Sequence, residues 1–222
     1  MAAELDGPRL EPRGRAKRLV VFLHGYGADG NDLIEIGKVW QARLPDTAFV
    51  SPHAPEPCGQ APVGRQWFPL FTRDTNERWT GVSKAGPILD AFLDKELSRR
   101  GLESSALALV GFSQGTMMAL HVGLRRVTPP AAIVGYSGLL ALDEKATAES
   151  VAGQIRSRPP VLLVHGDKDE LIPVGALFHA AQTLAALDVP VEWHISKGIG
   201  HGIDQEGLRH GGEFLARRFG LP

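Results

Sequence analysis

The chain carries one cysteine, Cys58, in 222 residues, which excludes an internal disulfide framework and any cysteine-rich zinc site. Neither sign of charge is in surplus: 24 Lys plus Arg stand against 25 Asp plus Glu, a formal net charge of -1. A general binder of nucleic-acid backbones needs a clear basic excess, so nucleic acid is not an expected partner. No apolar run approaches the roughly 20 residues that span a bilayer, so stable membrane anchoring is not expected either. The opening MAAELDGPRLEPRGRAKR is acidic, proline-interrupted and then basic, without the apolar stretch of a secretory signal. No internal period repeats, and no polar linker divides the chain. With 43% hydrophobic and 22% charged residues, the composition is that of a soluble globular protein able to bury its own core. The expectation is a cytoplasmic enzyme of one domain, residues 1–222, with 1–18 as a short lead-in.

What the sequence does contain is a series of short apolar runs of strand length: 19–23, 47–50, 106–110, 132–136, 161–164 and 191–195. Most are continuous rather than alternating, as strands buried on both faces are. Between them lie segments of helical spacing at 31–44, 83–100, 114–126, 141–156, 174–187 and 203–218. Asn31 and Asp32 suit a helix start, Pro45 a stop, and Gly101 after Arg99-Arg100 a C-terminal cap. Alternating strands and helices imply parallel βαβ crossovers and an α/β fold with helices on both faces of the sheet.

Residues 51–82 break the alternation. This stretch is rich in Pro and Gly and holds Trp67, Phe68, Leu70, Phe71 and Trp79. A loop so long inside a compact domain is usually functional or mobile. Two readings stand: a flap whose residues Trp67, Phe68, Leu70 and Phe71 line a substrate pocket, or a surface loop whose aromatics plug into the sheet.

Gly111-Phe112-Ser113-Gln114-Gly115 matches G-x-S-x-G. The pattern is weak alone, but here it follows an apolar strand and opens a helical segment, the setting that a nucleophile elbow requires. Glycines permit the tight strand-to-helix turn that lifts the Ser113 hydroxyl above the sheet at the positive end of a helix. A serine needs a base to take its proton. Among eight histidines, His201 alone sits in a glycine-rich loop, GIGHG, between the last strand and the last helix, where the rim of an open α/β sheet lies. The orienting acid should come from another strand end, and VLLVHGDKDELIP at 161–173 supplies both Asp167 and Asp169; spacing alone does not choose between them. The turn HGYGADG at 24–30 can aim the Tyr26 backbone N–H at a developing oxyanion, beside the N–H of Gln114. His24 reads as a brace for that turn.

With these pieces in place, the chain resembles the bacterial phospholipase/carboxylesterase family, relatives of acyl-protein thioesterases in the α/β-hydrolase superfamily. The resemblance rests on VVFLHGYGADGNDL at 20–33, SPHAPEPC at 51–58, GRQWF at 64–68, GFSQG at 111–115, HGDKDELIP at 165–173 and GIGHGI at 198–203. It spans roughly residues 19–218, in order and spacing. It implies a single-domain, mostly parallel sheet without a large cap domain. It also implies Ser113 as nucleophile, His201 as base and, through the pattern H-G-x-x-D-x-x-[VI]-P, Asp169 as the acid. The implied activity is hydrolysis of short- to medium-chain carboxylic esters, small molecules, through an acyl-enzyme; thioester or lysophospholipid cleavage by the same triad is the alternative. The lead-in is short for the family's extra antiparallel hairpin, which must then be small and use residues near 3–10.

Two rival readings fail. Gly25-x-Gly27-x-x-Gly30 also matches a dinucleotide fingerprint, yet Asp29 and Asp32 would repel a pyrophosphate, and the next strand ends in Ser51-Pro52-His53 without an acid for a ribose. A non-catalytic module of the same fold would not need serine, acid, base and oxyanion loop all intact. Cys58 lacks an elbow or a helix start to lower its pKa. The histidines are scattered singly, so no metal-ligand cluster, no metal and no cofactor is expected. A homodimer is left open.

Overall fold

The computed structural model describes residues 4–59, 61 and 63–222. In chain order the elements are β1 (Arg9–Leu10), β2 (Arg18–Leu23), α1 (Gly30–Trp40), β3 (Thr47–Val50), β4 (Glu56–Pro57), β5 (Arg65–Gln66) and α2 (Thr75–Arg100). There follow β6 (Leu107–Phe112), α3 (Gln114–Gly123), β7 (Ala132–Tyr136), α4 (Ala148–Gln154), β8 (Val161–Gly166), α5 (Gly175–Ala186), β9 (Val191–Ser196) and α6 (Gln205–Arg218). Seven strands form one sheet in the order β1-β3-β2-β6-β7-β8-β9, while β4 and β5 make a separate small ribbon. Every neighbouring pair in the large sheet is parallel except β1 with β3. All six apolar runs are strands of this sheet.

Strand alternation sorts the core into two layers. On β2, Leu19, Val21 and Leu23 face the side covered by α2, α3, α4 and α5, and pack with Leu89, Leu93, Met118, Leu120 and Leu184. Val20 and Phe22 face the side covered by α1 and α6, and meet Ile34, Trp40, Phe49, Phe214 and Leu215. The sheet is therefore buried on both faces, which is why its central strands lack polar alternation. β9 is an edge strand and half exposed. There Glu192 pairs with Arg217 and Arg218 at 2.7 Å each, a charged guard on an open edge.

Three segments depart most from the sequence expectations, while α1 and α3 end three to four residues early, at Trp40 and Gly123. α2 begins at Thr75, eight residues before the expected start, so the irregular stretch ends at Asp74 and Trp79 lies on a helix. Asp74 caps that helix by accepting from Glu77 N–H, and the Glu77 carboxylate collects the amides of Phe71, Thr72 and Arg73 at 2.7–3.0 Å. The D-x-x-E spacing carried this signal in the sequence. α4 is shorter than 141–156, because the side chain of Thr147, in extended conformation, accepts from Ser150 N–H and sets the start at Ala148. At the N-terminus a two-residue strand, Arg9–Leu10, pairs with Val50 and Phe49 in place of a hairpin among the described residues; residue 3 lies outside them. No helix among the described residues is long and apolar enough to cross a membrane.

Strand order reverses between β2 and β6: the chain grows one way through β3 and the other way through β7, β8 and β9. The loops after β2 and β6 thus diverge at the C-terminal edge of the sheet and leave a crevice there.

Candidate active site

Ser113 follows β6 directly and precedes α3, with φ +53° and ψ -114°. A non-glycine residue in that conformation is strained by about 1–3 kcal/mol. The surroundings hold it: Ser113 N–H donates to Tyr136 O at 2.9 Å, and Thr116 Oγ1 donates to the carbonyls of Gly111 and Tyr136 at 2.9 Å each. The flanking glycines are there for space. A Cβ on Gly115 would lie 1.8 Å from Leu23 O, and one on Gly111 would lie 2.4 Å from the Gly115 carbonyl carbon. The turn can be this tight only because both side chains are absent.

His201 sits between β9 and α6, its side chain partly buried, and its Nδ1 lies 2.7 Å from Asp169 Oδ2. Asp169 is the carboxylate the fold brings to the imidazole; Asp167 is not. Asp169 is buried, and its second oxygen, Oδ1, accepts from the amides of Leu171 and Ile172 at 2.9 Å each. His165, at the end of β8, places Nε2 3.2 Å from Asp169 Oδ2 and 2.7 Å from Ile172 O. Asp167 accepts from Gly198 N–H at 2.6 Å and so braces the loop that carries His201. Lys168 N–H to Ile199 O at 2.9 Å and Ser137 Oγ to Gly202 O at 3.1 Å anchor the same loop. The ring of Phe112 lies 5.0 Å from that of His201.

Ser113, His201, Gly25 and Tyr26 line one cavity of about 260 Å³ together with Leu70, Arg73, Arg78, Phe112, Met117, Leu171 and Ile172. No backbone carbonyl of the described residues accepts from the N–H of Tyr26 or of Gln114. The turn holding Tyr26 is fixed from below by His24, whose Nε2 accepts from Ala54 N–H at 3.0 Å while Nδ1–H donates to Gly25 O at 2.8 Å. Burial pushes the His24 pKa down to about 4, so the ring stays neutral in this bracing role. The glycines of the dinucleotide pattern serve the local fold: a Cβ at Gly30 would meet Ser51 O at 2.1 Å, and Gly27 has φ +81°. Asp29 caps α1 through Asn31 N–H at 2.7 Å, filling the place a pyrophosphate would take.

Of the four expected pocket residues, Leu70 lines the cavity and the other three do not. Trp67 and Phe68 are 1% and 2% exposed, buried beside the sheet. Trp67 Nε1–H donates to His24 O at 3.0 Å, and the Gln114 side chain accepts from Trp67 N–H at 2.9 Å and donates to Phe68 O at 2.7 Å. These aromatics therefore plug the loop onto the elbow and the 24–30 turn rather than lining a pocket. Phe71 points to solvent, 77% exposed. The sequence does not mark Arg73, Arg78, Leu171 and Ile172 as cavity lining: Arg73 and Arg78 belong to no motif, and Leu171 and Ile172 lie in HGDKDELIP, where the pattern speaks only for the acid. A larger groove of about 720 Å³ beside α4 and α5 shares only Arg78 with this cavity, and its lining contains no serine or cysteine. The expectation of singly scattered histidines also needs correction. His194 on β9 and Glu206 and His210 on α6 converge, their ligand atoms all within 4.8 Å of one another, because α6 packs against the edge strand.

A mostly parallel sheet covered on both faces, with a serine on the elbow after a central strand and a histidine–carboxylate pair at the rim, defines an α/β-hydrolase. The phospholipase/carboxylesterase family model matches residues 10–218, and the chain belongs to that family. It is 27% identical over 212 residues to Esterase YpfH of Escherichia coli (strain K12), covering 95% of this chain and 86% of that protein. It is also 27% identical over 212 residues to acyl-protein thioesterase 1 of Gibberella zeae, covering 90% of this chain and 89% of that one. Among solved structures, the crystal structure of esterase PE8 matches with a TM-score of 0.91 at 46% identity, over 96% of this chain and 99% of that chain.

Proposed function

We propose that the protein is a serine carboxylesterase whose triad is Ser113, His201 and Asp169. The observation that carries the reading is the strained Ser113 elbow opening into the same cavity as His201, whose Nδ1 lies 2.7 Å from the buried Asp169. Ser113 Oγ attacks the ester carbonyl carbon as His201 Nε2 takes its proton. The carbonyl oxygen gains negative charge, and the N–H groups of Tyr26 and Gln114 receive it; the position of Gln114 at the first turn of α3 adds the helix dipole. The tetrahedral intermediate collapses, the C–O bond breaks, and His201 returns the proton to the leaving alcohol. Water then attacks the acyl carbon while losing a proton to His201, the bond from that carbon to Ser113 Oγ breaks, His201 returns the proton to Ser113 Oγ, and the carboxylic acid leaves.

Cavity size supports short and medium acyl groups. At roughly 30 Å³ per heavy atom, 260 Å³ takes roughly nine non-hydrogen atoms, the ester group included. Each methylene inside should gain about 0.8 kcal/mol, roughly fourfold in kcat/KM, until the space is full. A series of p-nitrophenyl esters tests this, with a plateau expected near six acyl carbons; a rise continuing through long chains would contradict the size argument. Fluorophosphonate labelling tests the nucleophile: the label should fall on Ser113 and vanish in Ser113→Ala. The relative named as an acyl-protein thioesterase favours adding acyl-thioesters and lysophosphatidylcholine of matched chain length to the panel.

A further inference from the structure

We propose that His194, Glu206 and His210 form a binding site for a zinc-class divalent cation that staples the two ends of the loop carrying His201. The three ligand atoms lie within 4.8 Å of one another. Zinc at about 2.0–2.1 Å from nitrogen or oxygen needs its tetrahedral ligands about 3.3 Å apart, so closure of up to about 1.5 Å by side-chain rotation completes the set. Glu206 and His210 stand at i and i+4 near the start of α6 and share one face; Glu206 Oε1 is 3.8 Å from His210 Nε2. His194 projects from β9 onto that face, its ring centroid 4.2 Å from that of His210.

One observation favours a cation here over a plain surface cluster. His194 Nε2 is buried and has no hydrogen-bond partner, an unused lone pair or N–H in a place where such atoms are normally satisfied. Arg209 competes for the spot: its Nη2 is 3.3 Å from His210 Nε2 and 3.8 Å from Glu206 Oε1. That guanidinium also pairs with Glu213 at 2.9 Å through Nη1, so it can stay with Glu213 when an ion takes its other contacts. Two imidazoles and one carboxylate leave a fourth position for water and suit zinc, cobalt or nickel over magnesium or calcium, which prefer all-oxygen sets.

The position gives the site its consequence. His194 lies two residues before the end of β9, and Glu206 is the second residue of α6. Residues 197–204, including His201 and the capping Asp204, span the gap between these ligands. A bound ion therefore closes that loop covalently enough to lower its freedom without touching Ser113 or Asp169.

The test is titration of the metal-free chain with zinc chloride, read by calorimetry, thermal unfolding and amide hydrogen exchange. One zinc per chain is expected. At a hundredfold excess over Kd, Tm should rise by about 5–10 °C, and exchange should slow across 197–204. Magnesium should do neither. His210→Gln and His194→Gln should each weaken binding at least tenfold, and Arg209→Gln should tighten it by removing the competing charge. Glu206→Gln, exposed on α6, serves if His194→Gln fails to fold. The proposal is overturned if zinc does not bind at millimolar concentration, if both histidine variants bind like the parent, or if only His201→Ala abolishes binding.

Discussion

Replacing Asp169 by Asn should remove nearly all activity, and the structure says why the new side chain cannot compensate. Oδ1 of Asp169 accepts two amide N–H groups, from Leu171 and Ile172, at 2.9 Å each. An asparagine must keep its carbonyl oxygen there, since the opposite orientation would face an NH₂ group against two donors. Its NH₂ then occupies the Oδ2 position, 2.7 Å from His201 Nδ1, and donates to the ring. The imidazole is left protonated on Nε2, the nitrogen that accepts the Ser113 proton in the proposed mechanism. The wrong tautomer costs about 10⁴ in kcat in the protease triad, equivalent to about 5.4 kcal/mol of barrier. Asp167→Asn differs, because a carbonyl oxygen there still accepts from Gly198 N–H, now at 2.6 Å. Its loss should stay within about tenfold. The assay is kcat on a short p-nitrophenyl ester at pH 8, with thermal unfolding as a check on folding. Activity of Asp169→Asn within tenfold of the parent, or a collapse in Asp167→Asn alone, would refute the assignment.

Three further outcomes are expected. Ser113→Gly should abolish hydrolysis yet raise stability by about 1 kcal/mol, read as a Tm rise of about 2–4 °C, because glycine adopts φ +53° without strain; a Tm below that of Ser113→Ala would show that no strain is stored. Gln114→Ala should cost about 2–4 kcal/mol in urea unfolding, since the buried Trp67 N–H and Phe68 carbonyl both lose their partner while the residue-114 amide remains; a change under 1 kcal/mol would argue against the clamp. Burial pushes His24 down to about 4 and His121 to about 3, so the unfolded chain binds more protons below its ordinary histidine pKa near 6.5. Stability should accordingly fall as pH drops from about 6.5 toward 4, by up to about 1.4 kcal/mol per pH unit for each ring, and His121→Leu should flatten the slope; equal urea midpoints at pH 7 and pH 5 would contradict it.

Local chemistry was legible along the chain wherever neighbours in sequence are also neighbours in space. Five of the six apolar runs became strands because residues buried on both faces of a sheet must all be apolar, and no longer-range information is needed to see that; the sixth, β9, is a half-exposed edge strand. The elbow was legible because Gly111, Ser113 and Gly115 constrain one another within a single turn. The D-x-x-E start of α2 is equally local, and it puts Trp79 on a helix rather than in the irregular stretch, edge-on to His121 at 5.5 Å. Other features depend on which elements pack together, and only the tertiary structure decided them. Asp167 and Asp169 are two residues apart on one turn; the approach of the 198–202 loop gives Asp167 a backbone amide and Asp169 the imidazole. Trp67 and Phe68 could have lined a pocket or plugged the loop, and the Gln114 side chain, reaching across from the elbow, draws them inward. His194 and His210, isolated in sequence, meet because α6 returns along the sheet beside the edge strand. A pairing between distant segments is set by the free energy of packing whole faces, and no single residue carries that information by itself.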